Sequence, residues 1–133
     1  MIDRRSLLRL CAAAVVAIGL SSSGSLAAER FPFDRGAFDA AVAAGGPVLI
    51  DVFAPWCSTC RAQGAVLEGL FASPEYAGFK VFVVDYDSEK DIMRSFGVQQ
   101  RSTLIAFSAG AEVGRIIGDT RPAAIQALLA GAI

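Results

Sequence analysis

Histidine is absent from this chain altogether. That removes the commonest general base near neutral pH and the commonest metal ligand, so chemistry has to come from Cys, Asp, Tyr or the backbone. Charge is also sparse and nearly balanced: 19% of the residues are Asp, Glu, Lys or Arg, and the formal net charge is -1. Past the first ten residues there is no block of like charge, which argues against a nucleic-acid partner and against a surface built for anionic membranes. No Gly-rich phosphate loop occurs, so nothing points to an organic cofactor. Cysteine is scarce too, with three among 133 residues, and tryptophan occurs once. What is plentiful is apolar surface, at 54% hydrophobic residues. A chain of this length and composition has room for one well-buried core, since single domains typically hold roughly 100 to 150 residues.

The first residues read as an address. Arg4, Arg5 and Arg9 precede the apolar run LCAAAVVAIGL, Leu10 to Leu20, and the small-residue stretch SSSGSLAA follows it. This is the layout of a secretory signal peptide, and the apolar run is shorter than the roughly 18 to 20 residues of a membrane-spanning helix. Ser25 and Ala27 occupy the small positions expected before a cut, placing cleavage after Ala27. Residues 1–27 are therefore expected to be a cleavable signal and residues 28–133 the mature domain, periplasmic or otherwise exported. The Arg4-Arg5 pair followed by Ser6, Leu7, Leu8 and Arg9 also resembles a twin-arginine export signal. Cleavage would remove Cys11 and leave Cys57 and Cys60 where disulfides form and persist, with nine Lys and Arg against twelve Asp and Glu.

From Glu29 onward the periodicity alternates. FDRGAFDAAVAAGG places Phe38, Ala41 and Val42 at helical spacing before Gly45-Gly46, and PVLIDVFA is a nearly unbroken apolar run of the kind buried on both faces of a sheet. Val66, Leu67, Leu70 and Phe71 mark a second helix, KVFVVDYD a second buried strand, and Ile92, Met93 and Phe96 a third helix with Ser88 as candidate cap. TLIAFSAGAEVGRIIG reads as a hairpin, and TRPAAIQALLAG as a last helix with Thr120 as candidate cap, Pro122 in its first turn and Gly131 past its end. The order predicts an α/β fold with a central mixed β-sheet and helices on both faces.

Residues 55–61 read PWCSTCR. In the predicted order Cys57 falls where a strand ends and a helix begins, and there unpaired N–H groups and the helix dipole stabilise a thiolate. A stabilised thiolate is the attacking group in thiol–disulfide exchange, and Cys60, about one turn on, is placed to resolve the mixed disulfide. Three alternatives stand beside this. A zinc half-site would need about two further ligands. A structural disulfide over so small a loop gains little from loop entropy. An intermolecular cluster would need a second chain. Asp51, inside an apolar strand, is conspicuous in its own right, because an unpaired buried carboxylate is costly and its pKa should rise.

VLIDVFAPWCSTC resembles the active-site segment of the thioredoxin superfamily, and the likeness runs from about Phe31 to Leu129. The resemblance implies a thioredoxin fold, with Cys57 as nucleophile, Cys60 as resolving cysteine and Asp51 as the buried acid beneath them. It also assigns Trp56 to the position flanking the pair and Gly118 to the substrate-contact surface, and it makes Arg101, Ser102 and Thr103 the loop against which substrate backbone pairs. Three departures follow. Ser102 stands where the family has a cis-proline; a serine takes the cis form only at about 2.5 to 4 kcal/mol, so a trans loop is expected, in which Ser102 could donate a hydrogen bond to the Cys57 thiolate. Ser58-Thr59 replaces Gly-Pro between the cysteines. Val83 replaces the lysine that partners the buried acid, and Ala65 the helix-kinking proline, so Asp51 is expected to be less compensated.

The reading is an exported, monomeric thiol–disulfide oxidoreductase without cofactor or metal, exchanging disulfides with protein substrates as a reductant and fed by a membrane electron-transfer partner. The alternatives are an iron–sulfur dimer sharing a cluster through Cys57 and Cys60, which loss of the cis-proline would permit, and an interaction domain with a structural disulfide.

Overall fold

The computed structural model describes residues 28–133, so the signal-peptide and twin-arginine readings lie outside the described residues. Along the chain run β1 (Glu29–Pro32), α1 (Arg35–Ala43), β2 (Val48–Phe53), α2 (Ser58–Phe71), β3 (Lys80–Asp85), α3 (Lys90–Ser95), β4 (Thr103–Ser108), β5 (Ala111–Ile117) and α4 (Pro122–Ala130), with a single 3₁₀ turn at Pro74–Tyr76. The strands lie in the order β1-β3-β2-β4-β5. β1, β3 and β2 are parallel, and β4 and β5 run antiparallel to their inner neighbours. The mixed sheet expected from the sequence is present.

Alternation along the strands divides the core in two. Leu49, Val81, Leu104 and Ala106 face Leu67 and Phe71 of α2 and Ile125 and Leu129 of α4. Ile50, Val52, Phe82, Val84 and Ile105 face Phe38 and Ala41 of α1 and Met93 of α3. β2 is therefore covered on both sides, which is why VLIDVF needs no polar alternation. Register with Val83 and Leu104 puts Asp51 on the α2/α4 face.

Three local expectations change. β1 was not foreseen: ERFP is short, exposed throughout and ends in proline, a composition that an edge strand tolerates and that carries no period. Ser88 does not cap α3; its hydroxyl donates to Asp85 Oδ2 at 2.5 Å, and the cap position is Glu89. Thr120 likewise gives way to Arg121 as the residue before α4, whereas Pro122 opens that helix as expected. The hairpin closes through Ala109 and Gly110, with φ of 51° and 84°, a left-handed pair that matches the twist of the flanking strands.

Candidate active site

β2 ends at Phe53 and the chain turns at once into α2, with the Cys57 N–H donating to the Ala54 carbonyl at 3.1 Å. Cys57 is the N-cap residue of α2, and its Sγ accepts from the Cys60 N–H at 3.1 Å. A sulfur thus occupies the place where a Ser or Asp oxygen usually satisfies the first orphan amides, and the 14-residue helix behind it favours negative charge there. The two cysteines form a disulfide with their Cα atoms 5.3 Å apart. Both are buried, Cys57 at 3% exposure and Cys60 at 1%.

Ser102 lies against the sulfurs. All peptide bonds among the described residues are trans, and Ser102 takes a left-handed φ of 59° instead. Its N–H donates to the Val52 carbonyl at 2.9 Å, and its own carbonyl accepts from the Gly118 N–H at 2.8 Å and from Gln63 Nε2 at 3.0 Å. So held, its hydroxyl sits 3.2 Å from Cys57 Sγ and 3.0 Å from Cys60 Sγ. Gln63 Nε2 also donates to the Asp119 carbonyl at 3.0 Å, tying both loops to α2. Gly118, with φ of 68°, is where the chain leaves β5 in a conformation that suits glycine.

Trp56 is 55% exposed. Its Nε1 donates to Asp87 Oδ2 at 2.8 Å, the Arg101 guanidinium lies 5.0 Å from its ring centroid, and Tyr86 meets it edge-on. Ser102 thus touches both sulfurs, Gly118 holds Ser102 in place, and Arg101 packs on Trp56, the residue before Cys57. Thr103 opens β4 with its side chain buried, and its hydroxyl donates to the Gln100 carbonyl at 2.8 Å, so it shapes the loop from within.

Asp51 is 2% exposed, and burial pushes its pKa up to about 6. The acid is expected to be less compensated, and its pKa is indeed raised, but Arg30 takes the place of the missing lysine: its guanidinium donates to Asp51 Oδ2 at 2.9 Å and draws the pKa back down. Val83 does stand in register with Asp51, but Arg30 of β1 pairs with Val81 of β3 and so points to the same face, reaching across β3 to the acid. A groove of about 320 Å³ lined by Arg30, Phe53, Arg61, Gly64, Ala65 and Glu68 runs beside it. Among the described residues no group of three or more His, Cys, Asp and Glu stands close enough to hold a metal ion.

A buried cysteine pair capping a helix at the end of a central strand that carries a buried acid, within a five-stranded mixed sheet, is matched by the thioredoxin family model over residues 30–131. The chain belongs to the thioredoxin family. It is 42% identical to the structure of Trxlp from Edwardsiella tarda, covering 76% of this chain and 98% of that one with a TM-score of 0.73. Among curated thioredoxins it is 32% identical to Asp f 29 of Aspergillus fumigatus over 64% of this chain and 77% of that protein. It is equally 32% identical to thioredoxin-2 of Saccharomyces cerevisiae, over 70% and 88%. It is a thioredoxin-like thiol–disulfide oxidoreductase working through Cys57 and Cys60, and membership implies protein disulfides as its substrates.

Arg30, Gln63 and Asp87 escaped the reading of the sequence. Gln63 left a signal, being the one amide on the face of α2 that carries Cys60, Leu67 and Phe71. Arg30 and Asp87 left none, because their partners lie 21 and 31 residues away.

Proposed function

We propose that this protein is an exported, monomeric reductant of protein disulfides that draws its electrons from a membrane partner. The Cys57 sulfur at the α2 N-terminus carries the reading. In the reduced protein the Cys57 thiolate attacks a substrate disulfide, forming a mixed disulfide and releasing one substrate thiolate. Cys60 then gives up its proton and attacks Cys57 Sγ; the intramolecular disulfide forms and the second substrate sulfur leaves. Two electrons pass to the substrate. Asp51, with its pKa near 6, is mostly ionised at neutral pH and serves as proton acceptor on the α2 side of the sheet.

The reductant direction is supported by the resemblance to thioredoxins, whose length this domain nearly spans with no inserted helical domain. Export is supported by the layout of residues 1–27. A membrane donor fits an exported reductant, because its oxidised pair has to be re-reduced by electrons delivered from across the membrane. Equilibration of the pair against glutathione and dithiothreitol buffers tests the direction: a potential near roughly -270 mV fits a reductant, and one near roughly -120 mV identifies a disulfide-forming oxidant instead. Cell fractionation with mass measurement of the N-terminus tests export, the expected mature chain beginning at Ala28. A brown, dimeric preparation would favour a shared iron–sulfur cluster.

A further inference from the structure

The Ser102 hydroxyl is buried with its residue at 2% exposure, and among the described residues the two cysteine sulfurs are its only hydrogen-bond partners. A disulfide sulfur is a weak acceptor and a thiolate a strong one. Sealed from water, this O–H is poorly satisfied while the disulfide stands and well satisfied once either sulfur becomes anionic. We propose that Ser102 is a catalytic hydrogen-bond donor that follows negative charge between the two sulfurs, with Gln63 as the positioning residue that holds it there. This rests on the oxidoreductase reading and deepens it.

The electron count supports the role in both directions. When an incoming thiolate attacks Cys57 Sγ of the oxidised protein, a new S–S bond forms, the Cys57–Cys60 bond breaks, and its electron pair stays on Cys60 Sγ. The hydroxyl 3.0 Å away donates to that leaving thiolate without moving. Cys60 then takes a proton from water, and a second thiolate of the reductant attacks the partner sulfur of the mixed disulfide; a new S–S bond forms in the reductant, the bond to Cys57 breaks, and its electron pair stays on Cys57 Sγ, 3.2 Å from the same oxygen. The O–H now donates to Cys57 while an oxygen lone pair accepts from the Cys60 S–H, an ordered chain that assigns charge to the helix-capping sulfur and the proton to the inner one. A cis-proline at this position has no group able to do this.

Three restraints keep the oxygen in place: the Ser102 N–H on Val52, and the Gly118 N–H and Gln63 amide on the Ser102 carbonyl. Because the donor favours thiolates over the disulfide, it makes the pair less reducing than the same fold without it. Its removal therefore strengthens the reductant and slows its own re-reduction.

The test uses the mature domain with Ser102→Ala and Ser102→Gly. Alanine already occupies a left-handed φ of 51° at Ala109, and glycine takes such a φ freely, so both variants keep the loop and lose only the hydroxyl. Reduction of the oxidised protein by dithiothreitol is followed through the fluorescence of Trp56, the chain's only tryptophan. Both variants are expected to slow it about tenfold, to raise the thiolate titration midpoint by about one pH unit, and to shift the equilibrium with glutathione about tenfold toward the disulfide, ~30 mV more negative. Wild-type values in both variants overturn the proposal. So does a change in Ser102→Ala that Ser102→Gly does not share, which would assign the effect to loop conformation. A wild-type pair that will not equilibrate with glutathione at all instead removes the oxidoreductase reading beneath it.

Discussion

Replacing Arg30 by Met keeps an apolar stem over the sheet and removes the cation that faces Asp51. In the folded protein Asp51 titrates at about 6 against 3.8 for an unperturbed carboxyl. The folded state therefore holds this proton more tightly than the unfolded chain, and stability falls as pH rises from about 4 to about 6, then levels. Burial sets the direction, and the Arg30 charge and hydrogen bond limit its extent. Without Arg30 the carboxyl must titrate above 6, so the fall continues to higher pH. A hydrogen bond to a charged group is worth about 1.5 to 3 kcal/mol, and the lower part of that range applies because the Arg30 side chain is 37% exposed and partly screened. The expected loss is about 1 to 2 kcal/mol at pH 8 and close to none at pH 4, where Asp51 is neutral with or without its partner. Urea unfolding of both proteins across this range reads the loss, and carbon NMR of the Asp51 carboxyl reads the midpoint. An equal loss at both pH values, or an unmoved Asp51 midpoint, would refute the pairing as the cause.

Asp51→Asn removes the buried charge itself, so the variant should gain stability at pH 8, by at most about 3 kcal/mol from the distance between 3.8 and about 6, and gain nothing at pH 4. Its insulin-disulfide turnover near neutral pH should fall, since the acceptor for the Cys60 proton is gone; unchanged turnover would remove Asp51 from the mechanism. Gln63→Ala removes the side-chain donor to the Asp119 carbonyl and one of the two donors to the Ser102 carbonyl, which keeps the Gly118 N–H, and each hydrogen bond lost is worth about 0.5 to 1.5 kcal/mol. Chemical denaturation should show that loss, and amide exchange should show faster opening of the Gly118 N–H, whose acceptor is the same Ser102 carbonyl.

The sheet was readable because its interior strands solve a one-dimensional problem. VLIDVF and KVFVVD are apolar but for Asp51 and the end residues Lys80 and Asp85, as strands covered on both faces require, and that demand is visible in six residues. The cysteine pair was readable for a related reason, since a strand end, a helix start and a three-residue spacing are local. β1 was not, because an exposed edge strand of four residues owes its existence to backbone pairing with β3 and hardly to its own side chains. Arg30 went unnoticed with it. Position 83 in β3 correctly showed no cation, but the geometry that delivers one from two strands away exists only once β1 is laid beside β3. The caps of α3 and α4 failed differently. Ser88 and Thr120 are good caps by type, yet Asp85 takes the first as a donor, and Arg121 with Asp119 forms its own turn at the second.

The departures from the family pattern make sense only as pairs. Position 102 loses a proline, whose ring would fix the loop covalently, and gains a residue fixed by hydrogen bonds drawn from β2, from the end of β5 and from α2. The two solutions exclude each other. Proline has no N–H for the Val52 carbonyl, and its ring holds φ near about -65°, whereas Ser102 sits at 59°. The buried Gln63 amide follows from the same choice, because a left-handed serine turns its carbonyl toward α2, where an apolar side chain would leave it without this partner. Arg30 and Val83 form a second such pair. In both cases a chemical group missing at one position is supplied from another strand or helix, which becomes visible only when the strands and α2 are laid side by side.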